Sequence, residues 1–153
     1  MLEVKKLGDV PHLAPIVASW TFDEWGQTLG RTYSEQLSMF EERSNIGKLP
    51  ICFLALLDGC PVGTVSLVKD DNLEEFGVYT PWISALYVAP KYRGNGVAAK
   101  LLKEAGDTAK SLGFNKIYLH TPNAKEYYLK YGWVEKDCTT CKLGRTIVMY
   151  QKI

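Results

Sequence analysis

The hydrophobic positions change period along the chain, and each change marks a boundary between elements. LEVKKL, residues 2–7, alternates as a short strand does. Asp9, Val10 and Pro11 then carry the chemistry of a helix start. A carboxylate can cap there, and proline's missing N–H costs nothing in a first turn. The predicted helix runs to about Trp25, where Gly26 and Gly30 break it. Residues 32–43 predict a second helix with Tyr33, Leu37 and Phe40 on one side, ended by the polar run 44–47. Two solid apolar runs follow, 51–57 and 62–68, joined by the turn chemistry of DGCPVG, and together they predict a hairpin.

Residues 70–80 are polar and read as a loop. PWISALYVAP is a strand with a proline at each end, where a missing donor is tolerated. From Gly96 the period becomes helical. Val97, Ala98, Leu101, Leu102, Ala105, Ala109 and Leu112 share one face, and the opposite face is charged. Gly113 is suited to stop that helix. NKIYLH is a strand, and Thr121 or Asn123 caps a short helix, NAKEYYLKYG, which Gly132 ends. WVEKD and RTIVMYQKI are strands on either side of the loop CTTCKLG.

The predicted order is β-α-α-β-β-β-α-β-α-β-β. Strand, helix, strand after residue 80 implies two neighbouring parallel strands with a right-handed crossover. The flanking hairpins imply antiparallel pairing. The fold class is therefore α/β, a mixed, mostly antiparallel central sheet with helices on both faces. With 153 residues, no repeat and no linker, a single domain over 1–153 is expected.

Composition changes this picture little. Eighteen basic against seventeen acidic residues leave no electrostatic footprint for nucleic acid or an anionic membrane, so neither is expected as a partner. Residues 1–9, MLEVKKLGD, lack the apolar run a signal peptide needs, no stretch approaches the length of a membrane span, and a cytoplasmic protein is expected. Of the four cysteines only Cys138 and Cys141 form a CxxC. A zinc site needs two more ligands at suitable spacing, and a thioredoxin-like motif needs a helix after it. The expectation is reduced thiols and no metal, with the role of this pair open.

The chemistry concentrates in KYRGNGVAAK, residues 91–100. A nucleotide P-loop is excluded, because no Lys–Ser/Thr pair follows Gly96. The dinucleotide fingerprint is met in form by Gly94, Gly96 and Ala99, but its context is wrong. Five residues, 89–93, separate the strand from the first glycine, and the next strand ends in His120 and Thr121 rather than an acid. In the third reading, RGNGVA opens the helix as an anion cradle. Orphan N–H groups and a partial charge of about +0.5 gather at a helix N-terminus. Gly94 and Gly96 leave the backbone uncovered, and Arg93 adds a full charge. A plain turn into a core helix accounts for the apolar face but not for this density of small and basic residues.

RGNGVA resembles the pyrophosphate-binding signature (Gln/Arg)-x-x-Gly-x-(Gly/Ala) of the GNAT superfamily of N-acetyltransferases. ISALYVAPKYRGNGVAAKLL is similar to that family's strand, loop and helix nearly position by position. AKEYYLKYGW is similar to its later segment, in which a tyrosine, here Tyr128, lies four residues before a Gly-aromatic pair, here Gly132 and Trp133. The resemblance covers residues 50–137. The first 50 residues match only as strand-helix-helix, the variable, substrate-facing part of such proteins.

The resemblance implies the acyl-CoA N-acyltransferase fold, acetyl-CoA as co-substrate and an amine as acceptor, either a small molecule or a peptide or protein amine. It implies that the pantetheine arm pairs with the backbone of Leu86, Tyr87 and Val88. An N–H at Tyr87 or Val88 would meet the thioester carbonyl. The pyrophosphate would rest on Arg93, Gly94, Asn95, Gly96, Val97 and Ala98, and Asn123 joins this cofactor-binding set. Tyr128 is the implied general acid toward the departing thiolate. WISALYV lacks the carboxylate that some relatives use as base, which leaves His120 as a candidate base, with ordered water as the alternative. Glu24, Asp70, Asp71, Glu74 and Glu75 lie on segments that rim an acceptor site, or are solvated surface charges. Phe22, Trp25 and Trp82 line that site or belong to the core. A non-catalytic acetyl-CoA sensor is the alternative function, and a homodimer through the C-terminal strands is carried as an expectation.

Overall fold

A computed structural model describes residues 1–153. The elements are β1 (Leu2–Lys6), α1 (Ala14–Thr21), α2 (Tyr33–Glu42), β2 (Ile51–Leu57), β3 (Cys60–Val68), β4 (Trp82–Val88), α3 (Val97–Ser111), β5 (Lys116–Thr121), α4 (Lys125–Lys130), β6 (Val134–Cys141) and β7 (Gly144–Lys152). Their order is the predicted one. The seven strands form one sheet in the order β1-β2-β3-β4-β5-β7-β6, antiparallel except between β4 and β5. No helix is long and apolar enough to cross a membrane.

Burial follows the two periods. The apolar stripe of α3 (Val97, Leu101, Ala105, Ala109) packs on Ile51, Phe53, Val65 and Leu119 from one face of the sheet. Each fully buried Leu or Phe contributes about 1.5–3 kcal/mol. Alternate strand residues supply the other face, where α1 and α2 cover Cys52, Leu54 and Leu56 with Val17, Ala18 and Phe40. A third cluster lies on that same side of the sheet. There Leu73 and Phe76, from the connection between β3 and β4, pack over Trp82, Tyr118 and Val148.

Two local predictions are corrected. Asp9 makes no cap, because the chain first forms two 3-10 turns, Leu7–Asp9 and Pro11–Leu13, the first of which delivers Leu7 fully into the core. The helix then changes to a π-turn over Phe22–Gly26. The CTTC stretch is strand rather than loop. β6 runs through Cys141, with Thr139 opposite Thr146 and Cys141 opposite Gly144, leaving only residues 142–143 to turn. β-branched threonines suit a strand, and the positive φ of Gly144 (101°) closes the turn. Cys138 and Cys141, an odd spacing apart, face opposite sides of that strand, and both are free thiols.

The second helix obeys its sequence closely. Thr32 caps α2 in a reciprocal box with Glu35, the Glu35 N–H donating to Thr32 Oγ1 at 3.1 Å and the Thr32 N–H to Glu35 Oε1 at 3.0 Å. At the start of α4 it is Thr121, not Asn123, whose hydroxyl accepts the Ala124 N–H, at 3.0 Å.

The functional part of the fold is the parallel pair. β4 and β5 meet only at Trp82 and Tyr118, then diverge. β4 also carries a bulge. Its register against β3 shifts between Thr64 and Ser66, and Ala85 takes a left-handed φ of 53°. As a result Ser84 and Ala85, though consecutive, both serve the α1/α2 side, Ser84 bonding Asp71 and Ala85 packing on that core.

Candidate active site

The divergence of β4 and β5 opens a cleft of about 710 Å³ that is lined from both faces of the sheet. Leu86, Leu119 and Tyr128 line it on the α3 side. Arg43, Asp71, Ser84 and His120 line it on the other.

β4 presents free backbone to this opening. The Ala89 N–H donates to Val62 O at 2.9 Å. Amide direction alternates along an antiparallel ladder, so the Tyr87 amide faces Thr64 while that of Val88, between Tyr87 and Ala89, points away from β3. The amide open to the cleft side is thus that of Val88. Tyr87 instead stacks its ring near Trp20, centroids 5.5 Å apart, beneath the Arg93 guanidinium.

Beyond β4 the turn has the shape its glycines suggest. Gly94 and Gly96 have φ of 79° and 80°, a region that costs other residues strain, and a Cβ added at either would meet nothing within 4 Å. No side chain caps α3, so its first amides remain free to meet an anion. Arg93 Nε donates to Val88 O at 2.8 Å, which ties the turn to the strand. Asn95 spends its side-chain amide on Tyr92 O and Arg93 O and so shapes the turn from within. The turn lies past the end of β4, outside the walls of the cleft, whereas Leu86, His120, Asn123 and Tyr128 share it.

Tyr128 is the buried tyrosine of α4, 8% exposed. Its ring packs edge-on against Tyr127 and Trp133, and no protein group bonds its hydroxyl. Burial, with a smaller contribution from Tyr127, pushes its pKa up to about 12. The phenol therefore holds its proton through the physiological range.

On the opposite wall a polar chain converges. His120 Nε2 lies 3.2 Å from Asp71 Oδ2, and His120 Nδ1 lies 2.9 Å from the buried Thr146 Oγ1. Ser84 Oγ donates to the other Asp71 oxygen at 2.9 Å. Leu73 and Phe76 anchor the loop that carries Asp71, and the Thr80 hydroxyl closes it on Lys69 O at 2.9 Å. Of the five rim acids, only Asp71 reaches this chain. Glu24, Asp70 and Glu74 are exposed at the cleft's mouth, and Glu75 bonds Thr139 instead. Trp25 lines the cleft, Trp82 is core at 1% exposure, and Phe22 packs on Tyr33.

Sequence reasoning did not single out Ser84, Thr146, Arg31 or Arg43. The only available signals were a hydroxyl within each of two predicted strands and an arginine at the end of the second helix.

A mixed sheet split between two parallel strands, with an uncapped, glycine-led helix at the lip of the split, defines the class of N-acyltransferase folds. Residues 15–133 match the sequence model described as the acetyltransferase (GNAT) family. The chain belongs to that family, whose members take the acetyl group from acetyl-CoA. No curated protein matches the sequence. Among solved structures, an aminoglycoside 6'-N-acetyltransferase complexed with coenzyme A is similar at a TM-score of 0.78 and 16% identity, covering 98% of this chain and 96% of that one. A GNAT-family acetyltransferase from Streptococcus pneumoniae matches at 0.70 and 19%, over 100% of both chains. A GNAT-family acetyltransferase from Elizabethkingia anophelis with acetyl-CoA bound matches at 0.57 and 21%, over 68% of this chain and 76% of that one. At these identities the likeness concerns the fold.

Proposed function

We propose that this acetyltransferase moves the acetyl group of acetyl-CoA to a primary amine by direct attack while both are bound. One observation carries the reading. The cleft runs through the sheet, with a proton donor, Tyr128, on one wall and a proton acceptor, His120 held by Asp71, on the other.

Acetyl-CoA supplies an activated thioester. The free amides at the start of α3, with Arg93, suit its pyrophosphate, since Gly94 and Gly96 leave open space where side chains would stand. The Val88 amide faces the opening and is aimed to stabilise negative charge developing on a carbonyl oxygen. The proton of the acceptor's ammonium form reaches His120 Nδ1 through the Thr146 hydroxyl bonded to it, which gives its own proton to the ring as it takes the incoming one, and Asp71, on Nε2, steadies the charge that the imidazole gains.

Tyr128 returns a proton to the departing sulfur. Against a free thiol near about 8.5, a phenol at about 12 makes that transfer uphill by about 5 kcal/mol. The same burial raises the pKa of the thiol and narrows the gap. Holding the two reactants together supplies much of the remaining acceleration.

The reading takes residues 1–153 as one catalytic domain. Its four free thiols suit a reducing compartment, and we assign it to the cytoplasm. The test is calorimetric titration with acetyl-CoA, followed by thiol release over a panel of amines. Binding with release is the expected result. Binding without release from any amine would make the protein a sensor, and no binding would overturn the reading.

A further inference from the structure

We infer that the acceptor amine also carries a carboxylate or a like oxyanion, which Arg43 and Arg31 hold. This rests on the acetyltransferase reading above and narrows its acceptor.

Arg43 stands directly after α2, and its guanidinium lines the cleft. Its Nη1 is sealed from solvent and has no hydrogen-bond partner. A buried cationic donor without a partner is costly, and folds keep such groups where something else satisfies them. Asp71 is the carboxylate whose field reaches Arg43 most strongly, ahead of the exposed Glu42, but both of its oxygens are engaged, one with Ser84 and one with His120. Arg31 lines the same cleft, positioned by Gln36 Oε1 at 3.4 Å. Gln36 is itself buried and fixed by its bond to Thr21 Oγ1 at 2.8 Å. Neither arginine takes part in an ion pair, and each lies within the other's field.

Two unpaired guanidiniums facing one cleft call for an anion. Their planar forks match a carboxylate. The acids at the mouth (Glu24, Asp70, Glu74) are exposed, and water and salt screen them. Within the cleft two guanidiniums thus stand against one carboxylate, Asp71, whose oxygens are already engaged, and the remaining acids sit at the rim. A polycationic amine would be repelled at depth. An amine that carries a carboxylate would seat its anion on Arg43 and Arg31 and turn its nitrogen toward His120 on the same side of the sheet.

The test compares the twenty standard amino acids with their α-amides as acceptors, by thiol release from acetyl-CoA. Spermidine serves as the polycationic probe, and calorimetric affinity for acetyl-CoA as the control of fold. At least one amino acid is expected to exceed its own amide about tenfold or more in kcat/KM. Arg43→Gln and Arg31→Gln should each cut that ratio with acetyl-CoA affinity retained, while Arg43→Lys keeps part of it. Equal rates for acid and amide, faster turnover of spermidine, or a ratio that survives Arg43→Gln would overturn the inference and leave the transferase reading standing. Acetyl-CoA binding with no release from any acceptor would overturn both the inference and the transferase reading. Failure to bind acetyl-CoA would overturn the transferase reading at its base and the inference with it.

Discussion

Asp71 and His120 stand 49 positions apart in the chain, yet Asp71 Oδ2 lies 3.2 Å from His120 Nε2. A loop residue thereby holds the imidazole at the end of β5, and Thr146 holds its other nitrogen. His120→Gln should lower kcat by about 10²-fold or more, the usual contribution of a general base. Asp71→Asn removes the charge but keeps a similar shape, and about a tenfold loss in kcat is expected, with KM little changed. Steady-state kinetics read both effects. If Asp71→Asn lowers the melting temperature but leaves kcat untouched, Asp71 serves only to fasten its loop.

Tyr128 gives a prediction in two parts. Tyr128→Phe keeps the packing on Trp133 and removes the proton, so kcat should fall while acetyl-CoA affinity stays. The second part is thermodynamic. The folded pKa is about 12, above the usual value near 10. The unfolded chain therefore loses this proton first as pH rises. Tyr128 contributes stability that is fully present below about pH 10 and is lost as pH climbs through about 12, a span of roughly 2–3 kcal/mol. Urea unfolding between those pH values should show a flatter loss for Tyr128→Phe than for the parent. Parallel curves would place the phenol in a wetter site.

Gly96 tests the anion cradle. Its φ of 80° strains any other residue by roughly 1–2 kcal/mol, yet a Cβ there meets no protein atom within 4 Å. Gly96→Val should therefore still fold while obstructing the first amides of α3. Calorimetry should show acetyl-CoA affinity reduced at least tenfold. Retained affinity would mean that the pyrophosphate lies elsewhere.

What could be read from the sequence was what is local. The period of Val97, Leu101 and Ala105 specifies α3 and its buried face, and the glycines before it specify an uncovered N-terminus. Those features need only neighbours along the chain. Asp71 could not be told from Asp70, because what separates them is contact across the fold. Leu73 and Phe76 fold the loop onto Trp82 and Tyr118, and only then does one carboxylate meet His120. Arg43 looked like the last charge of an amphipathic helix, since nothing nearby along the chain shows that its guanidinium turns into the cleft. Asp9 failed as a cap for the same reason, because burial of Leu7 outweighed a local preference.

Gly63 makes the last prediction, because it sets how closely α3 approaches the sheet. A Cβ there would stand 3.0 Å from Tyr87 O, 3.1 Å from Val97 Cγ1 and 3.3 Å from Leu101 Cδ1. The carbonyl belongs to the ladder and Val97 opens α3, so neither yields without moving the helix start. Gly63→Ala should cost about 1–3 kcal/mol as overpacking. It should also weaken acetyl-CoA binding, since the displaced residues carry the cradle. Gly106, inside α3, is the matched control. Its nearest neighbours to an added Cβ are Ile117 Cδ1 at 3.9 Å and Ile153 Cγ2 at 4.0 Å. Gly106→Ala should stabilise by about 0.5–1 kcal/mol through helix propensity and leave binding alone. Chemical denaturation and calorimetry on the pair separate the two effects. Equal behaviour of the two variants would mean that the approach of α3 to β3 does not govern the site.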